Sequence, residues 1–220
     1  MRKSIRLLAL AISAIGACGA ALGQAPPPAA PDSAFSWGLK GGVNFANVLL
    51  APDLPPGYSK SSRTGFIGGA SAEARLSDTF SVQLEAFYTQ KGFEVSSAAG
   101  KATYRLDYLE LPLTAKATFG SGPLRPYLFA GPVVGFRLSA TAESGSSSGD
   151  FKDSTRSTDL GVDLGAGLLY RLNPGTALVL EGRYSVGLVN IFNTGAAGGT
   201  VNTRDLKILA GVTFAIGASR

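Results

Sequence analysis

From Ser36 almost to its end, the chain alternates apolar and polar residues with a period of two. That period places successive side chains on opposite faces of a strand, so it predicts β-structure throughout. Eight segments carry it. Ser36–Ala46 sets Trp37, Leu39, Val43 and Phe45 against Lys40, Gly42 and Asn44. Arg63–Leu76 sets Phe66, Ala70, Ala72 and Ala74 against Glu73 and Arg75. Phe80–Lys91 opposes Phe80, Val82, Leu84, Ala86 and Tyr88 to Gln83 and Glu85. Thr103–Phe119 opposes Leu109, Leu111, Leu113, Ala115 and Phe119 to Glu110 and Lys116. In Arg125–Ala140 the apolar set is Leu128, Ala130, Val134, Phe136 and Leu138, facing away from Tyr127 and Arg137. In Ser157–Arg171 it is Leu160, Val162, Leu164, Leu168 and Tyr170, opposite Asp159 and Asp163. Thr176–Val189 places Leu178, Leu180, Tyr184, Val186 and Leu188 opposite Glu181, Arg183 and Ser185. Arg204–Gly217 places Leu206, Ile208, Ala210, Val212, Phe214 and Ile216 opposite Asp205, Lys207 and Thr213.

Each segment reaches or exceeds the ~9–11 residues a tilted strand needs to cross a bilayer. The fourth reads as shifting parity near Tyr104–Tyr108, as a bulge would cause. Pro112 and Pro132 fall inside segments, where a missing N–H weakens a ladder. The connections alternate as well. Those after segments two, four and six are tight: Ser77-Asp78, Gly120–Leu124 and Asn173-Pro174-Gly175. The other four are long and polar or glycine-rich: Asn47–Ser62, Gly92–Ala102, Thr141–Arg156 and Asn190–Thr203. This is the arrangement of a barrel with turns at one end and loops at the other. The fold class expected is all-β, an eight-stranded antiparallel up-and-down transmembrane barrel with short periplasmic turns and long external loops.

Alternation alone does not say which face meets solvent. The ionic face carries Lys40, Arg75, Lys116, Arg137, Arg183 and Lys207 with Glu73, Glu85, Glu110, Asp159, Asp163, Glu181 and Asp205. That is six basic residues against seven acidic, a balance a closed lumen requires because an unpaired charge is costly there. Trp37, Phe80, Phe119, Tyr170 and Phe214 come from five segments and share the apolar face at the turn-side ends. Such placement predicts an interfacial girdle, with the apolar face toward lipid. The candidate lumen network is then Lys40, Glu73, Glu85, Glu110, Lys116, Arg137, Asp163, Glu181, Arg183 and Lys207, with Phe87, Tyr127 and Phe129 also pointing in. The glycines of Gly161–Gly167 precede no helix, so they read as relief of crowding in a curved wall rather than a phosphate loop.

Residues 1–23 join Arg2, Lys3 and Arg6 to an apolar stretch too short to span comfortably, then Ala21-Leu22-Gly23. They read as a signal peptide cleaved after Gly23, with lipidation at Cys18 as the alternative. Residues 24–34 are a Pro/Ala-rich linker, and 35–217 form the barrel domain. Cleavage takes three basic residues from 20 and leaves 17 against 15 acidic ones, so the basicity of the whole chain is no argument for nucleic acid. The sequence has no histidine and one cysteine, which removes His-based catalysis, His or multi-Cys zinc sites and a disulfide framework. Neither a cofactor nor a metal is expected, and no spacing points to an enzyme.

Several stretches resemble the outer-membrane β-barrel domain family of Gram-negative bacteria, often called porin-like family proteins. They are Trp37–Ala46, Tyr108-Leu109-Glu110-Leu111-Pro112-Leu113, Pro126–Pro132 and Asp159–Gly167. The resemblance covers roughly residues 35–217, implies that both prolines are family features, and carries no catalytic or binding residue. One departure is the C-terminal end, where Phe214 is followed by six more residues instead of closing on an aromatic. The function expected is structural or surface-interacting, in contact with outer-membrane lipid, monomeric, and able to meet an external ligand or protein at the loops. The alternatives are a narrow porin or ion channel and, further off, a soluble lipocalin-like barrel.

Overall fold

The computed structural model describes residues 34–51, 57–97, 100–144, 147–150, 157–189 and 200–217. Nine strands run through them: β1 Phe35–Ala51, β2 Ser59–Arg75, β3 Phe80–Ser97, β4 Gly100–Thr118, β5 Leu124–Ser144, β6 Ser147–Asp150, β7 Thr158–Asn173, β8 Thr176–Gly187 and β9 Thr200–Ile216. Eight of them form the wall. Sequential neighbours pair antiparallel, β5 pairs with β7, and β1 pairs with β9, which closes the sheet. The short β6 only folds back on the end of β5. Closure leaves no free edge along the wall, the condition for holding a sheet in hydrocarbon.

Local chemistry sets the turns. Ser77 Oγ accepts from the Phe80 N–H at 3.0 Å between β2 and β3. The Asn173 side chain accepts from the Gly175 N–H at 2.9 Å between β7 and β8, an Asx turn. The tight connections therefore fall where the sequence puts them. The long ones do not. β1 runs to Ala51, β3 to Ser97 and β5 to Ser144, while β2, β4 and β9 start at Ser59, Gly100 and Thr200. Much of what reads as loop is strand, because Ser, Thr, Tyr and Val pair in a ladder as well outside a membrane as in one. Residues 1–33, with the signal peptide and nearly all of the linker, lie outside the described residues.

Two irregularities bear on the sequence reading, and the first corrects it. β4 keeps one parity from Leu106 through Lys116, with the even positions buried. The bulge is across the ladder: Asp107 pairs with Ser139 and Tyr108 with Arg137, which leaves Leu138 as the extra residue of β5. At Pro112 the pairing toward β3 lapses, and toward β5 it lapses at Leu113 and Thr114, opposite Pro132 and Gly131, in both cases without a change of register. A residue with no N–H breaks the ladder there and goes no further.

Candidate functional site

The faces divide as the charge parity predicts. Trp37, Leu39, Leu84, Leu128, Leu164, Leu180 and Ile208 are exposed, while Lys40, Glu85, Glu110, Asp163, Glu181, Arg183 and Lys207 are buried within the barrel. Lys116 is buried as well, and Glu73 and Arg137 are half-buried on the same side. Phe87, Tyr127 and Phe129 also point in.

The interior is stacked in three tiers. Nearest the turns, Lys116 pairs with Glu73 at 2.8 Å, Ser81 donates to the same carboxylate at 2.6 Å, and the ammonium lies 4.4 Å from the centre of the Tyr127 ring. In the middle tier Lys40 contacts both Glu85 and Glu181 at 2.8 Å. Arg183 reaches Glu85, Glu181 and Asp163, the last at 3.0 Å, so one guanidinium joins three strands. Tyr127 donates its hydroxyl to Glu181 at 3.1 Å. The Arg183 guanidinium also lies 4.8 Å from the Phe129 ring centre and 5.3 Å from that of Phe87. Its planar fork suits this position, because it can serve several carboxylates while stacking on rings.

In the third tier, toward the loops, Lys91 pairs with Glu110 at 2.7 Å and Asp205 at 2.8 Å, and Asp159 lies 3.9 Å from it. Lys207 holds Glu110 from the other side at 2.6 Å, and Thr89 donates to the same carboxylate at 2.8 Å. A void of ≈10 Å³, lined by Val133 and Val186 as well as Asp159, Ser185 and Thr203, has the size of one water molecule. Above it Phe93, Leu106, Tyr108 and Ala140 form an apolar cluster, with Val95 and Tyr104 against it.

Room for large inward groups comes from glycine. A Cβ at Gly165 would collide with the Phe129 ring, and one at Gly167 with the Tyr127 ring. Two glycines of β7 thus make room for the aromatic rings of the β5 residues paired with them, in a lumen only wide enough for side chains.

Three inward bases escape the alternation count: Lys91, Arg125 and Arg171. Each stands at the end of a predicted segment but shares the parity of its inward neighbours, Glu85, Tyr127 and Asp163. Carrying the alternation through to the terminal residue of each segment would have found them. With them the inward set has nine basic residues against seven acidic.

On the outer face, Trp37, Phe80, Phe119 and Tyr170 are exposed near the turn-side ends of their strands. Phe214 pairs directly with Trp37, their ring centres 4.8 Å apart. A second aromatic level, absent from the sequence reading, holds Phe45, Phe66, Tyr88 and Phe136. Trp37 and Phe45 are eight steps apart on β1. At ~3.4 Å per step and a tilt of ~40° this is roughly 20 Å along the axis, close to the ~25 Å apolar band of outer-membrane barrels.

Among the described residues no helix is long and apolar enough to cross a membrane. None of their His, Cys, Asp or Glu side chains form a group able to hold a metal ion.

The sequence model for the outer membrane protein β-barrel domain matches residues 23–193. Two solved structures share the fold. OprG, an outer membrane protein of Pseudomonas aeruginosa, is 16% identical with a TM-score of 0.54, covering 84% of this chain and 98% of its own. Neisserial surface protein A is 20% identical with a TM-score of 0.51 and the same two coverages. No curated protein matches the sequence.

Proposed function

The chain belongs to the outer membrane protein β-barrel domain family, and from the state of its lumen we propose a non-enzymatic structural or surface-interacting barrel. Family and fold neighbours imply the bacterial outer membrane as its location. The observation that carries the reading is the middle tier. Lys40, Arg183, Glu85, Glu181 and Asp163 meet across the axis, and Phe87, Tyr127 and Phe129 fill the space between them. A plugged barrel offers its loop-side end as the place for a partner, because its interior has no room for one.

In this reading the apolar face touches lipid, and the turns and both chain ends lie on the periplasmic side, as an even strand count requires. The two aromatic levels mark the membrane interfaces. Residues 1–23 serve as the export signal. The barrel works as a monomer, since closure leaves no strand edge to share.

Membrane fractionation followed by gel migration before and after boiling tests the location and the closed barrel. The protein is expected in the outer-membrane fraction, with the unboiled band displaced. A monomer that stays folded and soluble without detergent would favour the lipocalin-like alternative. Planar-bilayer recording tests the plug: no stable large conductance step is expected, and one would make the protein a porin. The single tryptophan gives a third readout. Trp37 fluorescence should be quenched more by shallow than by deep spin-labelled lipid.

A further inference from the structure

The loop-side tier contains buried polar atoms that no side chain serves. Asp159 on β7 and Ser185 on β8 are only 6% and 4% exposed. Among the described residues, Asp159 Oδ1 and Ser185 Oγ meet no hydrogen-bond partner. The other oxygen of Asp159 is engaged, since Thr203 donates to Oδ2 at 3.1 Å. Leaving a buried hydroxyl or carboxylate oxygen unpaired is costly. Both residues line the ≈10 Å³ cavity, and so do Lys91 and Thr203.

Lys91 of β3 reaches the same cavity. Its ammonium carries three protons. Glu110 at 2.7 Å and Asp205 at 2.8 Å lie in direct reach. Asp159 Oδ2, at 3.9 Å, is past hydrogen-bond distance. A water between two polar groups so separated bonds to both. The cavity has the volume for one water and too little for two, and it offers the two to four polar partners such a water needs. A metal cation suits it poorly, because the Lys91 ammonium already brings positive charge and only the carboxylates of Glu110 and Asp159 are in the lining.

We propose that this cavity is a hydration site for a single resident water, which accepts from Lys91 Nζ, donates to Asp159 Oδ1 and bonds the Ser185 hydroxyl. The water ties β3 to β7 and β8 at a level where Lys91 hydrogen-bonds neither directly. This site goes beyond the structural reading and needs from it only that the barrel folds.

The test uses the full chain, labelled with nitrogen-15 and refolded in lipid nanodiscs, with magnetisation transferred from water to the backbone amides. A resident water is expected to give cross-relaxation of opposite sign in the laboratory and rotating frames at the amides lining the cavity. Ser185→Ala keeps the space and two of the three partners, so the signal should persist. Ser185→Val fills the space with methyl groups, so the signal should be lost. Exchange through the Ser185 hydroxyl would lose the signal in both variants, and exchange through the Lys91 ammonium would keep it in both. Either pattern in folded protein, or no signal in the parent, would overturn the proposal. The heat-shifted gel band of each variant reports folding separately. If Ser185→Val does not fold, diffraction from crystals of the parent decides. One density peak is expected about 2.7–3.2 Å from Asp159 Oδ1, Ser185 Oγ and Lys91 Nζ. An empty cavity, or a peak with oxygens at about 2.3–2.6 Å as around a calcium ion, would count against the water.

Discussion

The same strands are built in two opposite ways. At the height of Arg183 and Lys40 the ionic residues point in and the leucines point out. Toward the loops Phe93, Leu106, Tyr108 and Ala140 point in. There the charges are outside: Lys101 pairs with Glu94 at 2.7 Å and Arg105 with Glu143 at 2.8 Å, all four at least partly exposed. β4 shows the change within one strand and one parity. Its inward positions run from Lys116 and Glu110 to Tyr108 and Leu106, while outward ones run from Leu113 and Leu109 to Asp107 and Arg105. A strand gives each side chain only a face. What lies beyond that face selects the residue: hydrocarbon below, water above. The level at which the pattern inverts is therefore a reading of where the membrane ends, independent of the aromatic rings, and Tyr88 and Phe136 lie close to it.

Four substitutions sharpen or break this contrast. Arg183→Met should act most strongly. It leaves Glu85, Glu181 and Asp163 buried with only Lys40 among them, and breaking such a network costs about 3–5 kcal/mol. Urea titration of the refolded protein in lipid vesicles measures it, and an unchanged midpoint would mean that the tier does not hold the barrel together. Leu180→Arg places a charge on the outer face at mid-height and should cost about 2–4 kcal/mol in vesicles. A neutral outcome would mean that the outer face at this height meets water and not hydrocarbon. Leu106→Ala opens a cavity in the loop-side cluster. A loss of about 2 kcal/mol is expected, the lower part of the usual range for Leu→Ala because part of the cluster is not fully buried. Arg105→Ala removes an exposed pair and should change stability by less than about 1 kcal/mol. An effect as large as that of Arg183→Met would show that the loop-side wall is not solvated.

The middle tier was largely legible in the sequence. Lys40, Glu85, Asp163, Glu181 and Arg183 each fall on the polar parity of segments whose other face carries no charge and is mainly aliphatic, aromatic and glycine residues, and a period of two needs no tertiary information. The loop-side tier was less so. There the hydrophobic face changes sides without a change of parity, and a reader who expects apolar residues always outward sees in β4 a shift that the strand does not make. The displaced residue is Leu138 of β5, and only the pairing of two strands can show a bulge.

The sequence alone determined the eight wall strands, the tight turns and the two faces, because each depends on residues adjacent in the chain. Register depends on residues far apart. Whether Lys40 meets Glu85 or Glu110, whether Arg183 spans three strands, and whether Lys91, Asp159 and Ser185 line one cavity were decided by closure. Pairing β1 with β9 sets the stagger of every strand around the axis, and that stagger selects which inward positions share a level.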